Sequence, residues 1–164
     1  MFKYFLLKKL ASLERGFTLI ELLVVTIIVG VLAAISVPNL ISQVGKARET
    51  EAASNLAVVS RAQQTYHFET KKFAATLASL NQNLSSASGY YSFPDPVIAS
   101  NSVVKHQAIA NAPWNTASRN FSIGVYYDSG VFSTVLCKAI APTSSVTAPD
   151  TSTDVCSNNG IRIK

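Results

Sequence analysis

Few side chains in this sequence could do chemistry, and most of them stand alone. His67 and His106 are far apart, with no nucleophile motif beside either, so each reads as a packing or surface histidine rather than a catalytic base. Asp150 and Asp154 flank a Thr/Ser stretch whose oxygens could ligate calcium. The alternating acids of a calcium loop are missing, so a solvated loop is the expectation. Cys137 and Cys156 close a loop of roughly twenty residues, and in an exported domain one disulfide, worth about 3 kcal/mol by loop entropy, is expected between them. Two unpaired buried thiols are the alternative; a tetrahedral metal site needs four ligands, and no His lies near either Cys. Glu21 is different. It is the one charge in a long apolar run, where a carboxylate costs about 2.5–3.5 kcal/mol at mid-membrane and less near an end. It needs a positive partner, or it must reach the interface. No catalytic, cofactor or metal-ligating set emerges.

The elements that must hold these residues begin with the apolar run itself. Residues 17–37 read FTLIELLVVTIIVGVLAAISV, 21 residues that as a helix would cover about 31 Å, close to the hydrocarbon thickness of a bilayer. From Leu22 onward only Thr26 and Ser36 are polar, and a helix can return both hydroxyls to its own carbonyls. The whole chain of 164 residues is 48% hydrophobic and only 14% charged, against about 25% charged in an average soluble protein. Of the net charge of +5, Lys3, Lys8, Lys9 and Arg15 against Glu14 supply +3 ahead of Gly16. A basic amino terminus before an apolar stretch is an insertion signal that keeps the basic side in the cytoplasm and sends the chain beyond Pro38 outside. The rest carries no dense basic run, so the charge does not demonstrate DNA contact.

Gly30 and Pro38 weaken the helix, and a kink or local melting is expected at Pro38, which lacks a backbone donor. Helical periodicity then resumes. Leu40, Val44, Ala47, Leu56, Val59, Ala62 and Tyr66 form one stripe to about Thr70, with Lys46, Arg48, Glu49, Glu51 and Arg61 mostly off it. Beyond lie turns at Ser88-Gly89, Pro94-Asp95-Pro96 and Ala112-Pro113, with short strands possible over 90–93 and 103–110. Residues 121–127 alternate Phe121, Ile123, Val125 and Tyr127 with Ser122 and Gly124, and Asp128-Ser129-Gly130 turns the chain into a second strand over 131–139. Residues 142–154 form a polar loop; Asn158-Asn159-Gly160 turns toward a terminal strand over 161–164. The expected fold is α+β: a long amino-terminal helix whose amphipathic half lies on a small antiparallel sheet. Tyr90, Tyr91, Phe93, Trp114, Tyr126 and Tyr127 offer a stacking surface for bases, but packing is the simpler role. Asn83-Leu84-Ser85 and Asn120-Phe121-Ser122 match the glycosylation sequon, a frequent chance match.

Arg15-Gly16-Phe17-Thr18-Leu19-Ile20-Glu21-Leu22-Leu23 resembles the prepilin cleavage and methylation signature of the type IV pilin superfamily. The close match runs through about Pro38, and the layout of long helix, sheet and disulfide loop resembles pilins throughout. The resemblance implies a leader over 1–16, a membrane and filament-core helix over 17–38, an amphipathic half over 39–70 and a globular head over 71–164. It implies cleavage between Gly16 and Phe17 by a prepilin peptidase, methylation of the new Phe17 amine, and pairing of Glu21 with such an amine between subunits. Pro38 would let the helix bend on assembly. The implied product is a helical homopolymer for surface motility, adhesion or DNA uptake. Membrane assembly machinery would build it, with cytoplasmic ATPases, since this chain has no nucleotide-binding loop. The precursor would sit in the inner membrane with its leader in the cytoplasm, and the assembled subunit in a surface pilus; no cofactor and no enzyme activity are expected.

Two other readings compete. A pseudopilin of a type II secretion system shares the amino-terminal segment, although major pseudopilins usually have a calcium-bound loop where this chain has Cys137 and Cys156. The compact head points to a major rather than a minor pilin. The rival from another class is a secreted binding domain, with residues 17–32 as an ordinary signal core and cleavage after Ala33-Ala34.

Overall fold

The computed structural model describes residues 16–80 and 89–163. Lys3, Lys8, Lys9, Glu14 and Arg15, the Asn83 sequon, Ser88 and Lys164 lie outside the described residues. One helix, α1 (Leu19–Thr70), comes first. Six strands come after it: β1 (Tyr91–Ser92), β2 (Ile98–Ala99), β3 (Val103–Ala110), β4 (Phe121–Asp128), β5 (Val131–Lys138) and β6 (Ile161–Arg162). The fold is α+β. The chain divides into two compact units, one ending at Ile41 and the other starting at Ser42.

In the first unit the helix is long and apolar enough to cross a membrane, and its side chains are exposed from Leu19 through Val37 and again over 39–41. Helical conformation continues through Gly30 and Pro38, so the helix is not interrupted where a kink or local melting is expected. A proline removes one hydrogen bond, and the turns already formed on either side hold the rest of a long helix together.

In the second unit the helix buries a stripe that differs from the expected one. Gly45, Ala52, Leu56, Val59, Gln63 and His67 face inward, whereas Val44 and Ala47 are exposed, as is Leu40 in the first unit. The stripe drifts from the apolar pattern because the turn at 48–49 is occupied by Arg48 and Glu49, both half-buried. The helix ends after Thr70. There Lys71 takes the left-handed φ of 62°, and its N–H returns to the His67 carbonyl at 2.8 Å.

The strands form one antiparallel sheet in the order β1-β3-β4-β5-β6, with β2 also on β3. β1 and β2 pair opposite ends of β3, through Tyr91 with Ala110 and Ile98 with Lys105. β2 lies outside the strands expected from sequence, because two residues beyond Pro96 carry too little pattern to read. β4 and β5 make the expected hairpin. Asp128 pairs with Val131 across Ser129 and Gly130, whose φ values of 49° and 91° match a tight turn with both central residues left-handed.

The sheet is covered on both faces, which the alternation in β4 does not suggest. One face, with Ala108, Phe121 and Ile123, packs on Ala52 and Leu56 of α1. Val104 and Val125 extend it under Phe73. The other face presents Tyr126, Val135 and Cys137 to Ala139, Val146 and Cys156. Within the polar loop 142–154, residues up to Pro149 dock on this face, with Val146 and Ala148 buried, while Asp150, Thr151, Thr153 and Asp154 are exposed.

Candidate assembly segment and the surfaces that support it

At Gly16 and Phe17 the chain has not yet become helical, and Thr18 starts the helix. The Thr18 carbonyl accepts the Leu22 N–H at 3.2 Å, and its Oγ1 accepts the Glu21 N–H at 3.3 Å. The Thr18 hydroxyl in turn lies 3.4 Å from Glu21 Oε2, to which it donates. Ser/Thr with a Glu three residues later is a capping arrangement, and a carboxylate in the first turn also meets the positive end of the helix dipole. Both contacts are at the long end of the hydrogen-bond range. The Glu21 carboxylate thus sits in the first turn beside the Thr18 cap. Sequence reasoning gives Glu21 a positive partner, the Phe17 amine of its own chain or a neighbour, or a route to the interface. It does not name Thr18, although Thr18 ahead of an apolar run is a visible signal of the cap. Farther along, Thr26 returns its hydroxyl to the Leu23 carbonyl at 2.9 Å, which removes a polar group from the apolar surface.

On the amphipathic half, the charged residues at 48 and 49 join the packing. Arg48 places its guanidinium 3.9 Å from the Tyr90 ring centre and 4.1 Å from that of Trp114. Glu49 pairs with Lys138 at 2.6 Å and accepts the Arg119 N–H at 3.1 Å, tying α1 to β5 and to the segment before β4. Tyr91 donates to the Arg119 carbonyl at 2.8 Å, and burial, followed by the charge of Glu49, pushes its hydroxyl pKa up to about 12. The aromatics weighed as a stacking surface are thus engaged within the head: Tyr91 and Tyr126 are buried, and Tyr127 packs on His67 with ring centres 4.3 Å apart.

Cys137 and Cys156 are disulfide-bonded, with Cα atoms 5.8 Å apart, and both are buried beneath the carboxy-terminal layer. Polar side chains of the sheet hold that layer as well. Ser122 Oγ accepts the Ala148 N–H at 3.0 Å, Gln107 donates to the Val146 carbonyl at 3.2 Å, and Asn120 donates to the Ser144 carbonyl at 2.9 Å. Asn120 also accepts the Ala110 N–H through its Oδ1, so this sequon amide is committed to structure on both sides. Tyr126 donates to the Pro149 carbonyl at 2.6 Å; burial first, then the charge of Asp150, raises its pKa to about 12.

Lys105, itself buried, reaches Asp150 at 2.6 Å. The hydrogen bond from Lys105, and then its charge, hold the Asp150 carboxyl below its ordinary range. Since the Asp150 side chain is 89% exposed, solvent screens most of that attraction. No group of three or more His, Cys, Asp or Glu residues is placed to hold a metal among the described residues.

A helix apolar all round in one part and laid on an antiparallel sheet in the other, with a disulfide-bonded layer behind the sheet, defines a pilin-like protein. Residues 49–159 match the family described as type IV pilin-like G and H, and residues 12–37 match the prokaryotic N-terminal methylation motif. The chain belongs to the type IV pilin-like G and H family. It is 42% identical over 61 residues to the type IV major pilin protein PilA of Myxococcus xanthus, covering 37% of this chain and 28% of that protein. It is 38% identical over 73 residues to type II secretion system core protein G of Escherichia coli, covering 44% and 48%. Similarity to the type IV wide pilus major component PilA4 of Thermus thermophilus is 35% over 66 residues, covering 40% and 50%. The chain thus spans half or less of the length of these relatives. Their names are those of structural components rather than enzymes.

Proposed function

We propose that the protein is a structural subunit of a type IV pilus, made as a membrane-inserted precursor and polymerised into an extracellular filament. The observation that carries this reading is the first part of α1: apolar side chains exposed all round, headed by Gly16, Phe17 and a capped Glu21 inside the matched methylation motif. A prepilin peptidase cuts between Gly16 and Phe17, removes the leader 1–16 and methylates the Phe17 amine. The helix over 17–38 holds the precursor in the inner membrane, with the leader in the cytoplasm and residues 39–164 outside. When the subunit leaves the membrane, the apolar surface is covered by the same surface of other copies, and contacts that do not close on themselves give an open helical filament. Glu21 pairs with the Phe17 amine of a neighbouring copy and sets its register, and Pro38 lets the helix yield during packing. Inner-membrane assembly machinery with cytoplasmic ATPases supplies the work. Motility, adhesion and DNA uptake are the uses such a filament serves.

Replacing Glu21 tests this. Glu21→Ala should insert into the membrane normally and yield no filaments by electron microscopy of sheared surface material; filaments at the parental level would rule out charge pairing. A second reading, a pseudopilin of a type II secretion system, draws support from relatives named core protein G. Deleting the gene separates the two, by loss of surface pili in one case and of exoprotein secretion in the other.

A further inference from the structure

Two histidines are buried in the head, and their hydrogen-bond partners differ. His67 Nε2 lies 2.9 Å from the Asn101 carbonyl, which accepts an N–H. His106 is 1% exposed, and its Nε2 lies 2.9 Å from Gln63 Nε2. The orientation of that amide is fixed by backbone. Gln63 Oε1 accepts the Ala74 N–H at 2.9 Å, and Gln63 Nε2 donates to the Ala74 carbonyl at 3.0 Å. Turning the amide over would set oxygen against oxygen and N–H against N–H. The second hydrogen of the Gln63 amide therefore points at His106 Nε2, which must be a bare acceptor.

The imidazole is accordingly neutral, with its hydrogen on Nδ1. That nitrogen is buried and has no hydrogen-bond partner among the described residues. A proton added at Nε2 would place N–H against N–H, and Gln63, at 0% exposure, is out of reach of the bulk solvent that could relieve the clash. Few charges can offset this. Asp95, before β2, is the charge that acts on His106, and its carboxylate already accepts the Leu77 N–H at 2.8 Å. Lys105, the residue before His106 on β3, pairs with Asp150. His67, one turn beyond Gln63 on α1, bonds Asn101, and the residue opposite His106 on β4 is Ile123.

We propose that Gln63, His106 and the backbone of Ala74 form an acid-sensitive latch, which holds α1 and the segment after it to the sheet at neutral pH and opens when the imidazole takes up a proton. The joint ties three elements at once: α1 through Gln63, the chain just beyond the helix through Ala74, and β3 through His106. Burial lowers the His106 pKa from 6.5 to about 4, with Asp95 opposing the shift. A folded-state value below the unfolded one means the stabilisation is complete above the unfolded pKa, near 6.5, and is lost as pH falls toward 4. Over that range the unfolding equilibrium constant should rise by roughly 10²–10³-fold from this group. The latch does not depend on what the filament segment does.

The full-length chain, ¹⁵N-labelled in detergent micelles, allows a direct test by NMR of the ring nitrogens and of hydrogen exchange at Ala74. At neutral pH, His106 Nδ1 should carry the hydrogen and Nε2 should be bare, with the ring titrating near pH 4. Protection of the Ala74 amide should fall by about tenfold or more over the same pH range. A hydrogen on Nε2 at neutral pH, or titration near 6.5 with Ala74 protection unchanged, would overturn the proposal. Gln63→Glu supplies a carboxylate acceptor and should move the His106 titration above 6.5; an unmoved titration would count against the latch. If that variant does not fold, the ring-nitrogen states of the unaltered chain decide the matter.

Discussion

The two parts of α1 share a backbone and differ in what covers them. In the first, every described apolar side chain is exposed, Val29 by 57%. In the second, a narrow stripe is sealed, with Leu56 at 0%. The first part is the more apolar, and yet its own chain buries none of it. The lesson is that apolarity marks surface that must be covered without saying by what. Burial at about 25 cal/mol per Å² stabilises the head through Leu56 and its neighbours, while the same term for Val29 becomes available only in lipid or among other copies.

Leu56→Ala and Val29→Ala sharpen that contrast. Leu56→Ala should cost the head about 2–5 kcal/mol, because the cavity lies between α1 and the sheet, where collapse is limited. Val29→Ala should change head stability by less than about 0.5 kcal/mol. Denaturant unfolding of both variants in micelles, tracked by the near-UV signal of the head aromatics, compares them; equal losses would break the distinction. An effect between these two is expected at Gly124, on the face opposite α1. A Cβ there would fall within 2.7 Å of Tyr126 Cζ, and the ring is pinned by its hydrogen bond to Pro149. Gly124→Ala should destabilise the head by about 1–3 kcal/mol and raise exchange at the Ala148 amide, as an overpacked site does. Unchanged stability would mean the Tyr126 ring is free to move aside.

Much of this architecture is legible in the sequence, for identifiable reasons. The extent of α1, the β4–β5 hairpin and β3 follow from long periodic runs and a Ser-Gly turn in which both residues take positive φ. The inward stripe departs from its apolar pattern at one turn, because the half-buried Arg48 and Glu49 are held there as partners of Tyr90, Trp114 and Lys138 rather than as apolar surface. The alternation of Ser122 and Gly124 with large apolar residues cannot reveal a layer contributed by residues far along the chain. The same limit hides Gln63 and His106, polar residues whose pairing depends on Ala74 and on the fold bringing β3 beneath α1. At the start of α1 the sequence is more informative. Gly16, Phe17 and Glu21 stand out by type and spacing, and the Thr18 cap on Glu21 has a sequence signal of its own in the three-residue spacing.

The measurement that bears most directly on the pilus reading is the intact mass and amino-terminal sequence of the mature protein from its native host. Processing by a prepilin peptidase predicts a chain beginning at Phe17 with one added methyl group. A chain beginning near Ile35 would contradict it, since the segment bearing Glu21 would then be a discarded signal and could take no part in a filament.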